Sequence, residues 1–288
     1  MKVFKEILFK AVTYFAAIFS ILALFGIILT LFMEGIPMFQ EVSLKEFLFS
    51  SAWYPTNEHQ SFGALALLLG SLAVTIGALV IAVPIGLGTA VYISEIAGSR
   101  TKEIIKPMIE LLAGIPSVVY GLFGMAFLAP FLIRNLGIDS GLNIFTASIV
   151  LGIMIIPIIS SMSEDALSTV PRALREASYG LGATKWETIT RVVIPSAKTG
   201  IIGSFVLGFG RAIGETMVVI MVAGGAAQIP SSVFDPVRPL TTSIAVEMAE
   251  TVLGSIHFHS LFALAIMLFI ITFITNLFTE LFLFKKVK

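Results

Sequence analysis

Two opposite charges stand four residues apart in LGFGRAIGETMVVIMV, residues 207–222, inside a segment that is otherwise apolar. Arg211 stays charged at any physiological pH and offers a planar fork of donors that matches a tetrahedral oxyanion, phosphate above all. Counting from Lys198, Arg211 lies ~20 Å along a helix, where an unpaired charge costs at least ~2.5–3.5 kcal/mol on insertion scales. Glu215, one turn further on the same face, lowers that cost by pairing. A carboxylate in this position repels a fully ionised anion but accepts a hydrogen bond from a protonated one. Hydrogen phosphate carries such a proton at neutral pH and sulfate does not. Two readings remain open from these residues: a neutral pair that locks its helix to a neighbour, or an anion ligand on a transport path, which the chemistry favours.

The other residues with chemical potential carry less. His257 and His259 in SIHFHS stand two apart with no further ligand type clustered near them, which reads as interfacial histidine rather than metal binding. Glu110 reads as a solvated helix end. Gly210 and Gly214 form a small-xxx-small step suited to close helix packing. GFGRAIG has the wrong glycine spacing, and no βαβ pattern around it, for a dinucleotide fingerprint. Cysteine is absent, so no disulfide or thiol chemistry arises.

The elements that must position Arg211 and Glu215 are membrane spans. Of 288 residues, 57% are hydrophobic and 12% charged, about half the charge of an ordinary soluble domain. Residues 11–33, 62–94, 111–133, 140–163 and 251–279 contain no Asp, Glu, Lys or Arg, and each is long enough to cross a hydrocarbon core as helix. With the Arg211 segment they predict an all-α integral membrane protein, a single permease domain over 1–288. Its six spans fall at about 11–33, 64–93, 108–133, 143–162, 198–224 and 259–284. The first resembles a signal peptide in its Lys2–Lys5 start, but its apolar run is longer than usual and no A-x-A site follows, so it is expected to remain as a span. If that span leaves the cytoplasm, fourteen basic residues fall on inner segments and three on outer ones, which places both termini in the cytoplasm. The outer segments carry eight acids, so no basic outer surface awaits nucleic acid.

Spans 4 and 5 are joined by residues 163–197, far longer than the usual ~2–8-residue helix connection. Pro171 is placed to begin a helix, and Gly180 and Gly182 to end one. Two short helices are therefore predicted at about 171–179 and 184–193. Glu176-Ala177-Ser178, then Gly182, then Val192-Val193-Ile194-Pro195 resembles the signature of permease subunits of bacterial ABC importers: E-A-A, three residues, Gly, nine residues, and an I-x-L-P-like ending. Ser178, Val192 and Ile194 depart from it conservatively. A short helix with small residues can seat in a groove of a soluble partner, and Gly182 can take the positive φ that ends it.

GRAIGET in span 5, ELLAGIPSVVYGLFG in span 3 and PIGLGTAVYISEIA at the end of span 2 look like the permeases of phosphate-specific ABC importers. The AWYP…FGALALLLGSL entry to span 2 is closer to their PstC type than to their PstA type. The resemblance implies the type I ABC importer permease fold, with 171–182 as the cytoplasmic coupling helix and Glu176, Ala177, Ser178 and Gly182 at the ATPase contact. It places Arg211 and Glu215 on the phosphate pathway of the bacterial inner membrane. It also implies a PstA-like second permease, a dimer of ATP-binding subunits and a periplasmic or lipid-anchored phosphate-binding protein. ATP and Mg would belong to the partner ATPase, since no G-x-x-x-x-G-K-[ST] loop occurs in this chain. The nearest alternative is a permease for sulfate or molybdate. A more distant one is an ion-coupled secondary transporter, expected to show inverted repeats or discontinuous helices.

Overall fold

The computed structural model describes residues 2–283. Lys285, Lys286 and Lys288, counted above among inner basic residues, lie outside them, as does residue 284 at the expected end of span 6. The helices are α1 (Lys2–Gly35), α2 (Leu44–Phe49), α3 (Leu65–Val91), α4 (Ser99–Ala113), α5 (Ser117–Phe123), α6 (Ala129–Leu136) and α7 (Ile144–Ser168). They continue with α8 (Arg172–Gly180), α9 (Lys185–Thr188), α10 (Ile194–Ser196), α11 (Lys198–Ile213), α12 (Met217–Val222), α13 (Leu240–Glu247) and α14 (Ile256–Leu283). A two-stranded hairpin, β1 (Trp53–Tyr54) and β2 (Ser61–Phe62), pairs Trp53 with Phe62. π-helical turns occupy Tyr92–Ile96, Gly124–Leu128 and Ile189–Val193.

Five stretches of helix are long and apolar enough to cross a membrane: Phe9–Gln40, Leu65–Ile96, Ser117–Leu136, Ile144–Ser168 and Ile256–Leu281. The sixth expected span, 198–224, is discontinuous. Its first part is the 16-residue α11 and its second the six-residue α12, separated at Gly214–Thr216. Before it, Lys185–Ser196 is bent 69° from α11, so the loop between spans 4 and 5 turns away from the span rather than extending it.

Span 3 differs from its expected start at 108. Gly114 and Pro116 do not merely loosen a helix there but end one and begin another: α4 stops at Ala113 and α5 starts at Ser117. Pro116 lacks the N–H that a continuous helix would need and biases Ile115 away from helical backbone. The Tyr120 hydroxyl donates to the Leu112 carbonyl at 2.9 Å and bridges the break. Residues 108–113 therefore belong to an amphipathic helix with no buried residue, which precedes the span.

The central pair is α3 against α7. Glycines make this close approach possible: a Cβ at Gly86 would meet Ile159 Cγ2 at 2.8 Å, and one at Gly77 would overlap Ser148. Along this seam and the adjoining faces of α5, α11 and α12, Val74, Ala78, Leu151, Ile155, Val218 and Val222 form the main core. A second core lies around Met38, Phe47, Trp53, Phe62, Leu240 and Leu261. A third, under the loop between spans 4 and 5, joins Ala90, Val91, Leu167, Val170, Ile189 and Val193. By contrast α1 packs along α14, with Phe32 edge-on to Phe269 at 6.4 Å, and leaves most of its length uncovered.

Candidate functional site: a charged break in a span and the loop between spans 4 and 5

The break in the fifth span falls between the two charges that the sequence singles out. Arg211 sits in the last turn of α11, Gly214 follows the helix end, and Glu215 precedes α12. The i,i+4 contact survives the break, with Arg211 Nη1 2.7 Å from Glu215 Oε2. The geometry is not that of one continuous helix, however. Glu215 Oε1 accepts from the backbone N–H of Met217 at 3.1 Å and of Val218 at 3.3 Å, so the carboxylate caps α12 while its other oxygen holds Arg211. A negative charge at that position also complements the positive end of the new helix. The Glu215 carbonyl accepts from the Thr241 hydroxyl at 2.8 Å, which fixes the break against α13. Glu215 is 3% exposed and saturated with partners, whereas the Arg211 side chain is 47% exposed. The chemistry available at this point is therefore a cation whose carboxylate partner is fixed and whose remaining donors face away from the chain's own core.

The loop between spans 4 and 5 folds only partly as its spacing predicts: α7 runs on to Ser168, so the loop starts later than 163, and the second expected helix, 184–193, is α-helical only over Lys185–Thr188 before the π turn Ile189–Val193. Arg172–Gly180 is helical and Gly182 has φ +84°, in the left-handed region that a glycine adopts without a Cβ clash. Thr184 and Glu187 form a capping box at α9, and the Thr184 N–H, bonded at 2.9 Å, holds the Glu187 carboxyl below its usual range. Ser178 is buried, its hydroxyl 2.9 Å from that of Thr188, so this position of the triplet closes the loop on itself. Glu176 and Ala177 are exposed. Around them Leu174, Tyr179, Trp186 and, at 90% exposure, Leu181 present uncovered apolar surface. The loop thus leaves Glu176, Ala177 and Gly182 exposed and turns Ser178 inward.

Three ionic clusters escaped sequence reasoning, each built from residues far apart in the chain. At the inner end of span 4, Glu164 lies 2.7 Å from Lys102 and 2.6 Å from Lys106, and these pairs strap α4 to α7. Hydrogen bonds to Glu164 and Asp165 raise the Lys106 pKa. Nearby, Arg175 Nη2 is 2.7 Å from Glu95 Oε1. At the opposite end of the spans, Glu247 accepts from Trp53 Nε1 at 3.0 and 3.1 Å and from Arg238 at 3.1 Å, and lies 2.9 Å from His257 Nε2. His257 is therefore part of a buried polar node. His259 Nδ1 lies 2.7 Å from the Glu34 carbonyl, and among the described residues no group of three metal-ligand types forms. The one signal in the sequence was where the charges fall: Glu95 directly ends an uncharged run, and Arg175 directly precedes the Glu-Ala-Ser triplet.

Comparison with known proteins supplies what this geometry alone does not. Residues 82–287 match the family described as binding-protein-dependent transport system inner membrane component. A probable ABC transporter permease protein, YqgH, of Bacillus subtilis is 40% identical over 90% of this chain and 84% of its own length. Phosphate transport system permease proteins PstC of Mesorhizobium japonicum and Haemophilus influenzae are 38% and 37% identical, covering 93% and 97% of this chain and 87% and 93% of theirs. Among solved structures, a bacterial alginate ABC transporter with its oligosaccharide-loaded periplasmic protein aligns with a TM-score of 0.65 at 17% identity, over 96% of this chain and 93% of that one. An inward-facing MetNI methionine ABC transporter aligns with a TM-score of 0.57 at 19% identity, over 78% and 95%. These structural matches give the type I ABC importer permease fold. The discontinuous fifth span, a feature expected of the secondary-transporter alternative, therefore occurs here in a chain with an ABC importer permease fold. The chain belongs to the family of binding-protein-dependent transport system inner membrane components, the multi-pass permease subunits of ABC transporters.

Proposed function

We propose that this chain translocates inorganic phosphate across the bacterial inner membrane as one of two permease subunits of an ATP-driven importer, with both termini in the cytoplasm. The observation that carries this reading is the asymmetry at the span-5 break: a saturated Glu215 beside an Arg211 whose remaining donors point away from the chain's own core. Full-length relatives named as phosphate transport permeases support the choice of anion. Arg211 lowers the barrier for the anion at mid-membrane. Glu215 holds the guanidinium in place and, by competing for it, keeps the site from binding phosphate too tightly to release. A PstA-like permease would face Arg211 and complete the path, and a periplasmic or lipid-anchored phosphate-binding protein would deliver the substrate. A dimer of ATP-binding subunits, which hold ATP and Mg, would dock on residues 171–182 through Glu176, Ala177 and the exposed apolar side chains around them. Ser178 and Gly182 would set the shape of that surface.

The test is phosphate uptake by the assembled transporter in proteoliposomes carrying Arg211→Ala. Losing charged hydrogen bonds worth about 2 kcal/mol at the barrier lowers uptake roughly thirtyfold. Unchanged uptake with intact assembly removes Arg211 from the pathway. Competition by sulfate and molybdate, each at the concentration of phosphate, separates the nearest alternative substrate class.

A further inference from the structure

Arg175 belongs to the exposed helix α8, yet its side chain makes all its bonds outside that helix. Its Nη2 reaches Glu95 Oε1 at 2.7 Å and its Nε reaches Glu95 Oε2 at 3.3 Å, a two-point contact with one carboxylate. Nη2 also donates to the Leu167 carbonyl at 3.1 Å, and Nη1 donates to the Val170 carbonyl. Glu95 lies in the π-helical turn that ends span 2, Leu167 lies in the last turn of α7, and Val170 lies two residues beyond its end. The guanidinium thus joins α8 to two spans at once, and it satisfies carbonyls that the end of a helix leaves without partners. Both side chains are largely buried, 17% exposed for Arg175 and 8% for Glu95.

Little else fastens α8 to the spans. Ser178 is its one buried residue, and that hydroxyl is spent on Thr188 within the same loop. Span 4 leads into α8 through the chain itself, so α8 follows span 4 whatever its side chains do. Span 2 is 80 residues away in sequence and has no such connection. Below its last turn the loop packs Ile189 and Val193 against Ala90 and Val91, a contact of π turn and span rather than of α8. Among the described residues, the hydrogen bonds between α8 and span 2 all run between Arg175 and Glu95.

We propose that Arg175 is a positioning residue for transport: through its two-point bond to Glu95 it makes the inner end of span 2 follow α8 when the ATPase moves that helix. A planar fork on a carboxylate fixes direction as well as distance, which a lysine at the same place cannot do. Because α3 and α7 meet along a glycine-lined seam with little room to slide, a displacement imposed at Glu95 is carried along the length of the pair. This inference rests on the reading that α8 docks the ATPase.

The experiment compares Glu95→Gln, Arg175→Lys and Glu95→Asp with the unaltered chain in the complete transporter, measuring co-purified ATPase, ATP hydrolysis and phosphate taken up per ATP. Glu95→Gln and Arg175→Lys are expected to keep the ATPase attached and hydrolysing while uptake per ATP falls about tenfold. Glu95→Asp, which keeps the charge, recovers at least a third of the coupling. Uptake per ATP within twofold of the unaltered chain in both variants overturns the proposal. So does loss of the ATPase from Glu95→Gln, because the pair then only shapes the docking surface. Should Glu95→Gln fail to accumulate in membranes, the ratio in Arg175→Lys and Glu95→Asp decides by the same criterion. Glu176→Lys in parallel addresses docking itself: retention of the ATPase there refutes the reading beneath, whatever Glu95 does.

Discussion

Glu215 and Glu247 are both buried carboxylates facing an arginine, and they differ in what else reaches them. Glu247 gathers Trp53 from the hairpin, Arg238 from the loop before α13 and His257 from α14, so that four separate segments meet on two oxygens. Glu215 gathers two backbone N–H groups from the turn immediately after it and one arginine from the turn before. The first arrangement fastens distant parts of the chain together. The second is local, and it leaves its arginine half exposed. A buried charge that is fully surrounded by donors is an element of architecture, whereas one that orients a partly free opposite charge is placed to act on something outside the chain.

If that distinction holds, the two sites respond to mutation in different quantities. Arg211→Ala has the largest expected effect and acts on uptake without loss of assembled protein. Glu247→Ala comes next and acts the other way. It strands the Trp53 indole, Arg238 and His257 beside a vacated site, and with Arg238 one-third exposed the cost is about 2 kcal/mol. For a chain of this length that lowers the midpoint of thermal inactivation by about 3 °C, while uptake per folded transporter stays within twofold. A Glu247→Ala protein of normal thermal stability with abolished uptake would break the comparison, since the Glu247 node would then be part of the transport path.

Glu215→Gln sharpens the comparison from the other side. The amide oxygen still accepts from Met217 and Val218, so α12 remains capped and stability changes by less than about 1 kcal/mol. The charge that competes for Arg211 is gone. Phosphate then holds longer at the break: KM for uptake falls a few-fold and the maximal rate falls with it. A raised KM at unchanged maximal rate, read from initial uptake against phosphate concentration, contradicts the role given to the carboxylate.

How legible all this was depends on the distance over which each signal acts. The spans, the α8 loop and the Arg211–Glu215 pair are written locally, in uncharged runs, in a 20-residue spacing and in a four-residue separation. The π turn at Tyr92–Ile96 and the break at Gly214 are decided by packing, and no periodicity in the sequence announces them. Span 3 shows the boundary: Gly114 and Pro116 were visible, but the helix that they divide from the span, α4, is held to α7 by Glu164, 58 residues beyond Lys106. Arg175 and Glu95, like Trp53 and Glu247, are ordinary charged or aromatic residues until the fold brings them together.

A third carboxylate gives the smallest test and sets the lower end of the scale. Asp235, in the loop before α13, accepts from the Ser231 N–H at 2.7 Å, the Ser232 N–H at 2.8 Å and the Ser231 hydroxyl at 2.9 Å, with no cation among the described residues bonded to it. The Ser231 and Ser232 backbone bonds hold its pKa below the ordinary 3.8. A carboxyl depressed in the folded state contributes stability that is present above the unfolded value and is lost as pH falls through the folded one. The loop also ties into the start of α7, where the Phe145 N–H donates to the Val233 carbonyl at 2.8 Å. Lowering the pH from about 5 to 2 therefore loosens the 225–239 loop, read as rising pepsin cleavage there beyond the enzyme's own pH dependence. Asp235→Asn should be cleaved at a rate that no longer changes over that range once the same correction is made. Because the Asp235 carboxylate bonds only within its own turn, and Asp235→Asn keeps the backbone bond from the Ile144 N–H to the residue 235 carbonyl, neither thermal stability nor uptake at neutral pH should follow it. If Asp235→Asn alters uptake as strongly as Glu215→Gln, then a carboxylate bonded only to its neighbours is no less functional than one facing a partly free arginine, and the distinction drawn between the two buried sites loses its basis.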